Sequence, residues 1–553
     1  MVAAQDDTAA QPGGETVVLD TIRVTTRRTE EALEAVPGSV VVLDDQEIER
    51  ADIRNSIDVI RRLPNVSFTE GSDPTDVDLS IRGISSLVGT TAATGPTNGV
   101  FVDGLLLNPT GSLIGINPNL FDLERVEVAF GPQGTAFGRG TIGGAINLVP
   151  KRPTEEREIR FEGGIGSFPD GDVRAIFNTP ILDDGLLSAR FVGFFRSSNG
   201  FVELPTVGGD AGQEDIGGRL SLRSTPTDRL TLDFAASFDR SEFDAANSVL
   251  LSSAEDGDPQ NVSDFVEEDT LDRAVVSFDA AYDFDFGTVR SKTGFLRTDL
   301  DGKNDSDSTA LDIFTTEIDS VDEAISQEFR FESEVIDLPS GLGTLTFNPG
   351  VSFSFNDSRD DFIIDAGDDF FTASTQFGLD SGILVPGQAI VDDGSFSDVD
   401  QFQEVDTFGI FGDVRWRPVP ELEIAAGARF SRDTVRVEAA SAGEGLVATG
   451  IAQVSVFPGG PVVPVDVSGL IDVPFPDAPL TSAEETFTAV TPNASVLYEW
   501  TDQFSTYVSF STGFRPGGFS LDEGAIAPFD EETVRNFEGG FRANLLENRL
   551  QLR

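Results

Sequence analysis

Leu230-Thr-Leu-Asp-Phe-Ala-Ala-Ser-Phe-Asp239 decides the fold class. Successive side chains of an extended chain point to opposite faces. Leu230, Leu232, Phe234, Ala236 and Phe238 therefore share one face, and Thr231, Asp233, Ala235, Ser237 and Asp239 the other. Val276, Phe278, Ala280, Tyr282 and Phe284 repeat the pattern against Ser277, Asp279, Ala281 and Asp283, and Leu422, Ile424, Ala426, Ala428 and Phe430 repeat it again. Strands of a soluble sandwich run about 5–6 residues. Several of these runs reach the ~9–11 residues of a tilted membrane strand.

The connections point the same way. Short turns are expected at Asp183–Gly185, Thr225–Asp228, Asp285–Gly287, Pro418–Glu421, Thr501–Asp502 and Leu546–Asn548. Long polar loops are expected at about 240–270, 299–323, 358–402, 433–485 and 514–531. Loops sorted by length, short at one end and long at the other, are the arrangement of an outer-membrane barrel. Roughly 15 strands are expected in residues 153–553, counted from the period-two runs.

Upstream the pattern is different. Strand-like runs at Val40–Leu43, Val100–Val102 and Val126–Ala129 mix with a helix expected near Ile53–Leu63, stopped by Pro64. Glycines cluster from Gly131 to Gly144. They lack the G-x-x-x-x-G-K-[ST] spacing and a following helix, so a phosphate loop is disfavoured. Residues 30–152 read as a compact α+β domain behind a flexible segment 1–29.

Composition removes whole classes of chemistry. The 553 residues contain no Cys and no His, which eliminates disulfides, thiolate metal sites and imidazole acid–base catalysis or ligation. Asp and Glu number 95 against 38 Lys and Arg, a net charge of −57 that repels nucleic acid. The bland reading of that charge is a solvated acidic surface in a saline habitat; the functional one is capture of cations. No apolar run approaches the ~18 residues of a membrane helix, which leaves a barrel untouched. Residues 1–14 carry no apolar signal-peptide core.

The densest motif is Asp122-Leu-Glu-Arg-Val-Glu-Val-Ala-Phe-Gly-Pro-Gln-Gly-Thr-Ala-Phe-Gly-Arg-Gly-Thr-Ile-Gly-Gly-Ala-Ile-Asn147. With Pro37-Gly-Ser-Val-Val-Val-Leu, Leu63-Pro-Asn-Val, Ile81-Arg-Gly-Ile and Phe101-Val-Asp-Gly, in this order, it resembles the plug domain of TonB-dependent receptors. Ser326-Gln-Glu-Phe-Arg, Ala428-Arg-Phe, Thr491-Pro-Asn-Ala-Ser, Ser511-Thr-Gly-Phe-Arg-Pro and Phe537-Glu-Gly-Gly-Phe-Arg resemble landmarks of the family's barrel. The resemblance implies an N-terminal α+β plug inside a large antiparallel transmembrane β-barrel. Plugged transporters have about 22 strands.

The resemblance also implies site residues. Asp20, Thr21, Ile22, Arg23, Val24 and Thr25 resemble the TonB box, where TonB would pair as an added strand; the alternative is the plug's own first strand. Arg82 resembles a plug arginine that pairs with a barrel carboxylate; the alternative is a surface arginine at a strand end. The family often carries a second arginine just before Gly131, where this chain has Phe130. Plug apices near 70–74, 85–98 and 108–114 would face the ligand, with Glu70, Ser72, Asp73, Ser85, Thr97, Asn98, Asn108, Thr110 and Ser112 as candidates. Loops bearing Asp360-Asp-Phe and Asp368-Asp-Phe-Phe would bind cations and stack on a ligand, or serve as solvated acidic loops.

The implied function is TonB-dependent import of a scarce ligand, first a ferric siderophore, across the outer membrane of a Gram-negative bacterium. Vitamin B12 or an oligosaccharide remains open as cargo. Implied partners are TonB with ExbB/ExbD, outer-membrane lipid and lipopolysaccharide, around a monomer. No bond chemistry, cofactor, resident metal or nucleic acid is expected. A secreted Ca²⁺-binding solenoid would need G-G-x-G-x-D repeats, and a barrel enzyme a carboxylate or Ser–Lys constellation; neither is visible in the sequence. With roughly 15 strands of about 22, the wall is expected to continue past Arg553, and residues 1–553 alone are expected not to insert stably.

Overall fold

The computed structural model describes residues 23–25, 27–51, 53–70, 77–85, 92–93, 95–107, 109–110, 120–167, 170–182, 185–245, 249, 253, 257, 259–306, 309–367, 395–442, 446–447, 451–455, 462–466, 472–473, 478–522, 525–545 and 550–552. Most of the chain after Glu158 forms one antiparallel up-and-down sheet of fifteen strands in sequence order. They are β1 Glu158–Ile165, β2 Asp170–Leu182, β3 Leu187–Ser198, β4 Gln213–Thr227, β5 Leu230–Ala245, β6 Glu267–Phe284, β7 Gly287–Asp305 and β8 Phe314–Ser333. The sheet continues through β9 Thr344–Ala366, β10 Ser395–Val419, β11 Leu422–Ala442, β12 Ala478–Thr501, β13 Phe504–Arg515, β14 Glu532–Leu545 and β15 Leu550–Leu552. Among the described residues no pairing joins β1 to β15, so the wall is not closed.

The wall is apolar outside and polar inside. Phe238, Phe278, Ile325, Phe355, Ile410, Val490 and Phe537 are exposed on its outer face. Asp233, Asp239, Arg273, Asp279, Asp322, Arg429 and Asp433 are buried on the inner one. A dry two-layer sandwich has the opposite polarity, with the apolar face inside. Near the short turns the outer face carries an aromatic belt. Tyr282 lies 4.6 Å from Phe284, Phe284 5.3 Å from Phe286, and Tyr498 4.7 Å from Trp500, ring centre to ring centre. Such rings mark the level of lipid headgroups.

The strands outrun the sequence expectation. β10 has 25 residues and β12 has 24, about 80 Å at ~3.3 Å per residue. Backbone pairing continues far beyond the bilayer, so the loop expected at 299–323 narrows to residues 306–313, and that at 358–402 begins only after Ala366. Polar composition there marks strands standing in water. The turns at 228–229, 285–286, 420–421 and 502–503 fall where expected; those at Asp183–Gly185 and Leu546–Asn548 lie wholly or partly outside the described residues.

Inside the curve of the wall sits the α+β domain. Its central sheet runs Val40–Asp44, Leu123–Phe130, Gly144–Pro150, Asn98–Val102, Leu105–Leu106, with Gly144–Pro150 parallel to Asn98–Val102. Two short helices pack beside it. α1 Asp45–Arg50, unforeseen in the sequence, is capped by the Asp44 carboxylate accepting from Glu47 N at 2.8 Å. α2 Ser56–Ile60, capped by Asn55, is shorter than the expected Ile53–Leu63. Arg62 N and Leu63 N bond three residues back, so the last turn tightens, as befits a segment whose next residue is Pro64.

Val59, Ile60, Ile81, Val126, Val128, Ile146 and Leu148 form the plug core, and Val275 and Leu296 of the wall join it. Gly294 of β7 makes room for this contact, because a Cβ there would overlap the Leu105 side chain. The glycine-rich segment after Phe130 leads straight into the strand Gly144–Pro150, with no intervening helix. At Gly134 a Cβ would stand 2.9 Å from the Thr512 carbonyl oxygen of β13, so only glycine lets the plug backbone lie against the wall.

Candidate functional site

The plug is held by charged pairs reaching across to the wall. Arg82 takes positive φ (52°) in the turn after the strand Val77–Ile81. Its Nη1 donates to Glu538 Oε2 of β14 at 3.0 Å, and Tyr507 Oη donates to the other oxygen, Oε1, at 2.7 Å. The Arg82 guanidinium also lies 5.4 Å from the centre of the Phe130 ring. Phe130, standing where the family often has arginine, thus offers a π face to the remaining cation. Glu538 was legible only as part of the landmark Phe537-Glu-Gly-Gly-Phe-Arg, and its pairing across 456 residues was not.

Further pairs surround the plug. Asp122 accepts from Arg190 of β3 through both oxygens, at 2.5 and 2.6 Å. Arg54 meets Asp170 at 3.1 Å, and Arg28 meets Glu328 of β8 at 3.7 Å. Asp103, in the turn of Phe101-Val-Asp-Gly, is gripped by Arg219 of β4 and lies 3.2 Å from Arg152. Burial pushes the Asp103 carboxyl up, but the Arg219 and Arg152 guanidiniums outweigh that and hold it well below the usual carboxylate range. Arg542 of β14 donates to the carbonyls of Glu34, Val36 and Gly38.

The described end of the Asp20–Thr25 segment is folded. Arg23–Val24 pairs antiparallel with Glu31–Ala32, and Val24 is fully buried among Leu33, Val36 and Val40. Thr25 N and Oγ1 donate to the buried Glu127 carboxylate at 3.0 and 3.1 Å. Arg27 bridges Glu31 and Glu423 of β11. Asp20, Thr21 and Ile22 lie outside the described residues.

At the opposite end of the plug, Thr97, Asn98 and Thr110 are buried. The Thr97 carbonyl accepts from Ile142 N and Gly143 N, Asn98 donates to the Leu79 and Ile84 carbonyls, and Thr110 donates to Asp322 of β8. All three are engaged in internal hydrogen bonds. Ser85 is half-buried, and Glu70 ends the strand Val66–Glu70. Ser72, Asp73, Asn108 and Ser112 lie outside the described residues. Above this end the hairpin Gly518–Asp522/Ala525–Phe529 folds inward and pairs with Ala92–Ala93, and Arg515 donates to the Gly95 carbonyl at 2.6 Å. Sequence periodicity carried no sign of this inward hairpin, because its partner is the plug.

Asp360 is buried and bonded by Ser320 and Ser358. Asp361 faces outward with Asp398 and Asp400, their carboxylate oxygens within 4.8 Å of one another. A hydrogen bond to Asp400 and partial burial push Asp361 up to about 7. The Asp368 segment lies outside the described residues.

Comparisons with known proteins fit this geometry. Residues 215–553 match the model of the TonB dependent receptor-like β-barrel, and residues 32–145 that of the TonB-dependent receptor plug domain. The chain is 32% identical over 179 residues to the ferrichrome outer membrane transporter/phage receptor of Escherichia coli K12, spanning 31% of this chain and 22% of that protein. It is 30% identical over 202 residues to the vitamin B12 transporter of Vibrio vulnificus, spanning 35% and 31%. The chain therefore aligns with less than a third of the length of these curated relatives. It also superposes on the ferric yersiniabactin uptake receptor of Yersinia pestis with a TM-score of 0.72 at 19% identity, covering 92% of this chain and 70% of that one. The siderophore receptor PiuA of Acinetobacter baumannii gives 0.67 at 16%, covering 95% and 72%. At such identities the likeness is one of fold.

Proposed function

The chain belongs to the TonB-dependent receptors of the Gram-negative outer membrane, and from that premise we propose that it imports a ferric siderophore, as one subunit, under the pull of TonB and its ExbB/ExbD energising complex. The observation that carries this reading is the plug seated within a polar-faced wall and tied to it by ion pairs. Such ties hold the route shut at rest, yet each is a local charge pair that a pull on the chain can break one at a time. The N-terminal hairpin is the handle. TonB pairs as an added strand along Asp20–Thr25, strips Val24 and Thr25 from their seats, and draws Arg27 and Arg28 away from Glu423 and Glu328. Outer-membrane lipid and lipopolysaccharide surround the apolar face. Ser85, Glu70, Ser72, Asp73, Asn108 and Ser112 are the candidate ligand contacts of this reading; Thr97, Asn98 and Thr110 join only after the inward hairpin lifts.

The 30% identity to a vitamin B12 transporter favours one second reading, a cobalamin cargo. Growth of a deletion strain on single iron sources, against its parent, tests the first. Loss of growth on one chelate supports it. Equal growth on every siderophore, with cobalamin uptake lost, replaces it with the second.

A further inference from the structure

Between the plug and strands β7 to β11 lies a cavity of about 110 Å³. Its lining brings together four cations, Arg28 and Arg139 from the plug and Lys292 and Arg429 from the wall, with one carboxylate, Glu328. In a chain with 95 acidic and 38 basic residues, composition does not produce this reversal of sign. Nor do the neighbours cancel it. Glu328 is shared between Arg28 at 3.7 Å and Arg330 at 3.2 Å. Among the described residues Arg429 donates only to neutral oxygens, those of Ser431 and Ser352. Arg139 is 6% exposed; its Nη2 donates to the Pro109 carbonyl, and its buried Nη1 has no hydrogen-bond partner among the described residues.

Lys292 forms no ion pair among the described residues. The acids nearest to it are held elsewhere, Asp279 by Arg290 and Asp103 by Arg219 and Arg152. Asp433, the acid facing Arg139 and Arg429, accepts from Thr407 and makes ion-pair contact with neither. A Cβ on Gly104 would stand 3.3 Å from both Arg28 Nη1 and Lys292 Nζ, so two like charges flank a single glycine. Enclosed cations that outnumber the carboxylates beside them, those carboxylates being shared with other bases, are costly. Guanidinium forks and an ammonium on residues lining one cavity are also the donors that recognise carboxylate and phosphate.

We propose that this cavity is an internal oxyanion site, taking a carboxylate or phosphate group of a small molecule between Arg139 Nη1 and Lys292 Nζ, with Arg28 and Arg429 supplying the field. The site does not depend on which cargo the receptor imports. The full-length receptor in detergent, titrated calorimetrically with inorganic phosphate at constant ionic strength, tests it. Saturable binding is expected, weakened about tenfold or more in Arg139→Gln and Lys292→Gln and unchanged in Lys303→Gln, an exposed lysine paired with Glu317. Heat-modifiable migration verifies each variant's barrel, and Lys292→Met serves if Arg139→Gln misfolds. Absence of saturable phosphate binding, or equal affinity in wild type and Lys292 variants, overturns the proposal. Uptake of the iron chelate that supports growth then separates the sources. If the oxyanion belongs to the cargo, Lys292→Gln slows uptake while surface binding stays; if it is a free anion, phosphate binding is lost and uptake stays.

Discussion

Arg82 illustrates what one residue does in this molecule. Its guanidinium, two-thirds removed from solvent, is matched by one oxygen of Glu538 while Tyr507 fills the other. Removing either charge strands the other in the lumen, a loss larger than an exposed pair would give. A double-mutant cycle with Arg82→Ala and Glu538→Gln, read from thermal plug release, is expected to give a coupling of about 1–2 kcal/mol; additivity would remove the pair's role. Asp361 works in the opposite sense. Its carboxyl sits at about 7 beside Asp400, so the folded state binds that proton more tightly than the unfolded chain does. The stabilisation it brings is complete below the ordinary carboxylate range and is lost as pH rises through 7. Hydrogen-exchange protection factors at the outer ends of β9 and β10, corrected for the base-catalysed intrinsic rate, are expected to fall between pH 6 and 8, and Asp361→Asn to flatten that fall. Protection factors independent of pH in the wild type contradict it.

At the scale of elements, the N-terminal hairpin is held by few bonds. It has only two paired residues in each strand, and Glu127 supplies the acceptor that seats Thr25. Glu127→Ala is expected to expose the bonds after Arg23, Arg27 and Arg28 to trypsin at least tenfold faster, since local opening governs such cleavage, while the barrel's heat-modifiable migration stays as in wild type. An unchanged cleavage rate would assign the seat to Val24 packing instead. The helices teach the limits of reading elements from sequence. Pro64 marked the end of α2 within a few residues, whereas α1 was missed, because Asp45–Arg50 shows only one buried apolar residue, Ile48, and gives no period to read. β10 and β12 exceeded expectation because their outer halves pair in water, where no apolar face is needed and alternation fades.

For the whole molecule, the outward apolar face predicts where lipid goes. Trp416 and Trp500, the two tryptophans, stand 36% and 60% exposed on that face near the short turns. Brominated lipids with the label close to the headgroup are expected to quench both in the full-length receptor; protection of both would place the apolar face against protein. By itself the sequence determined that most of the chain after the plug is a long-stranded wall with one wet and one apolar face, since a period of two states which side chains share a face wherever the chain is extended. It also marked the plug, the charge and the missing imidazole and thiol chemistry. Only the tertiary structure decided which carboxylate meets Arg82, that Val24 is seated rather than free, that Thr97, Asn98 and Thr110 face inward, and that four cations share one cavity. Those partners lie hundreds of residues apart, and local patterning carries no term for a charge pair closed across a lumen.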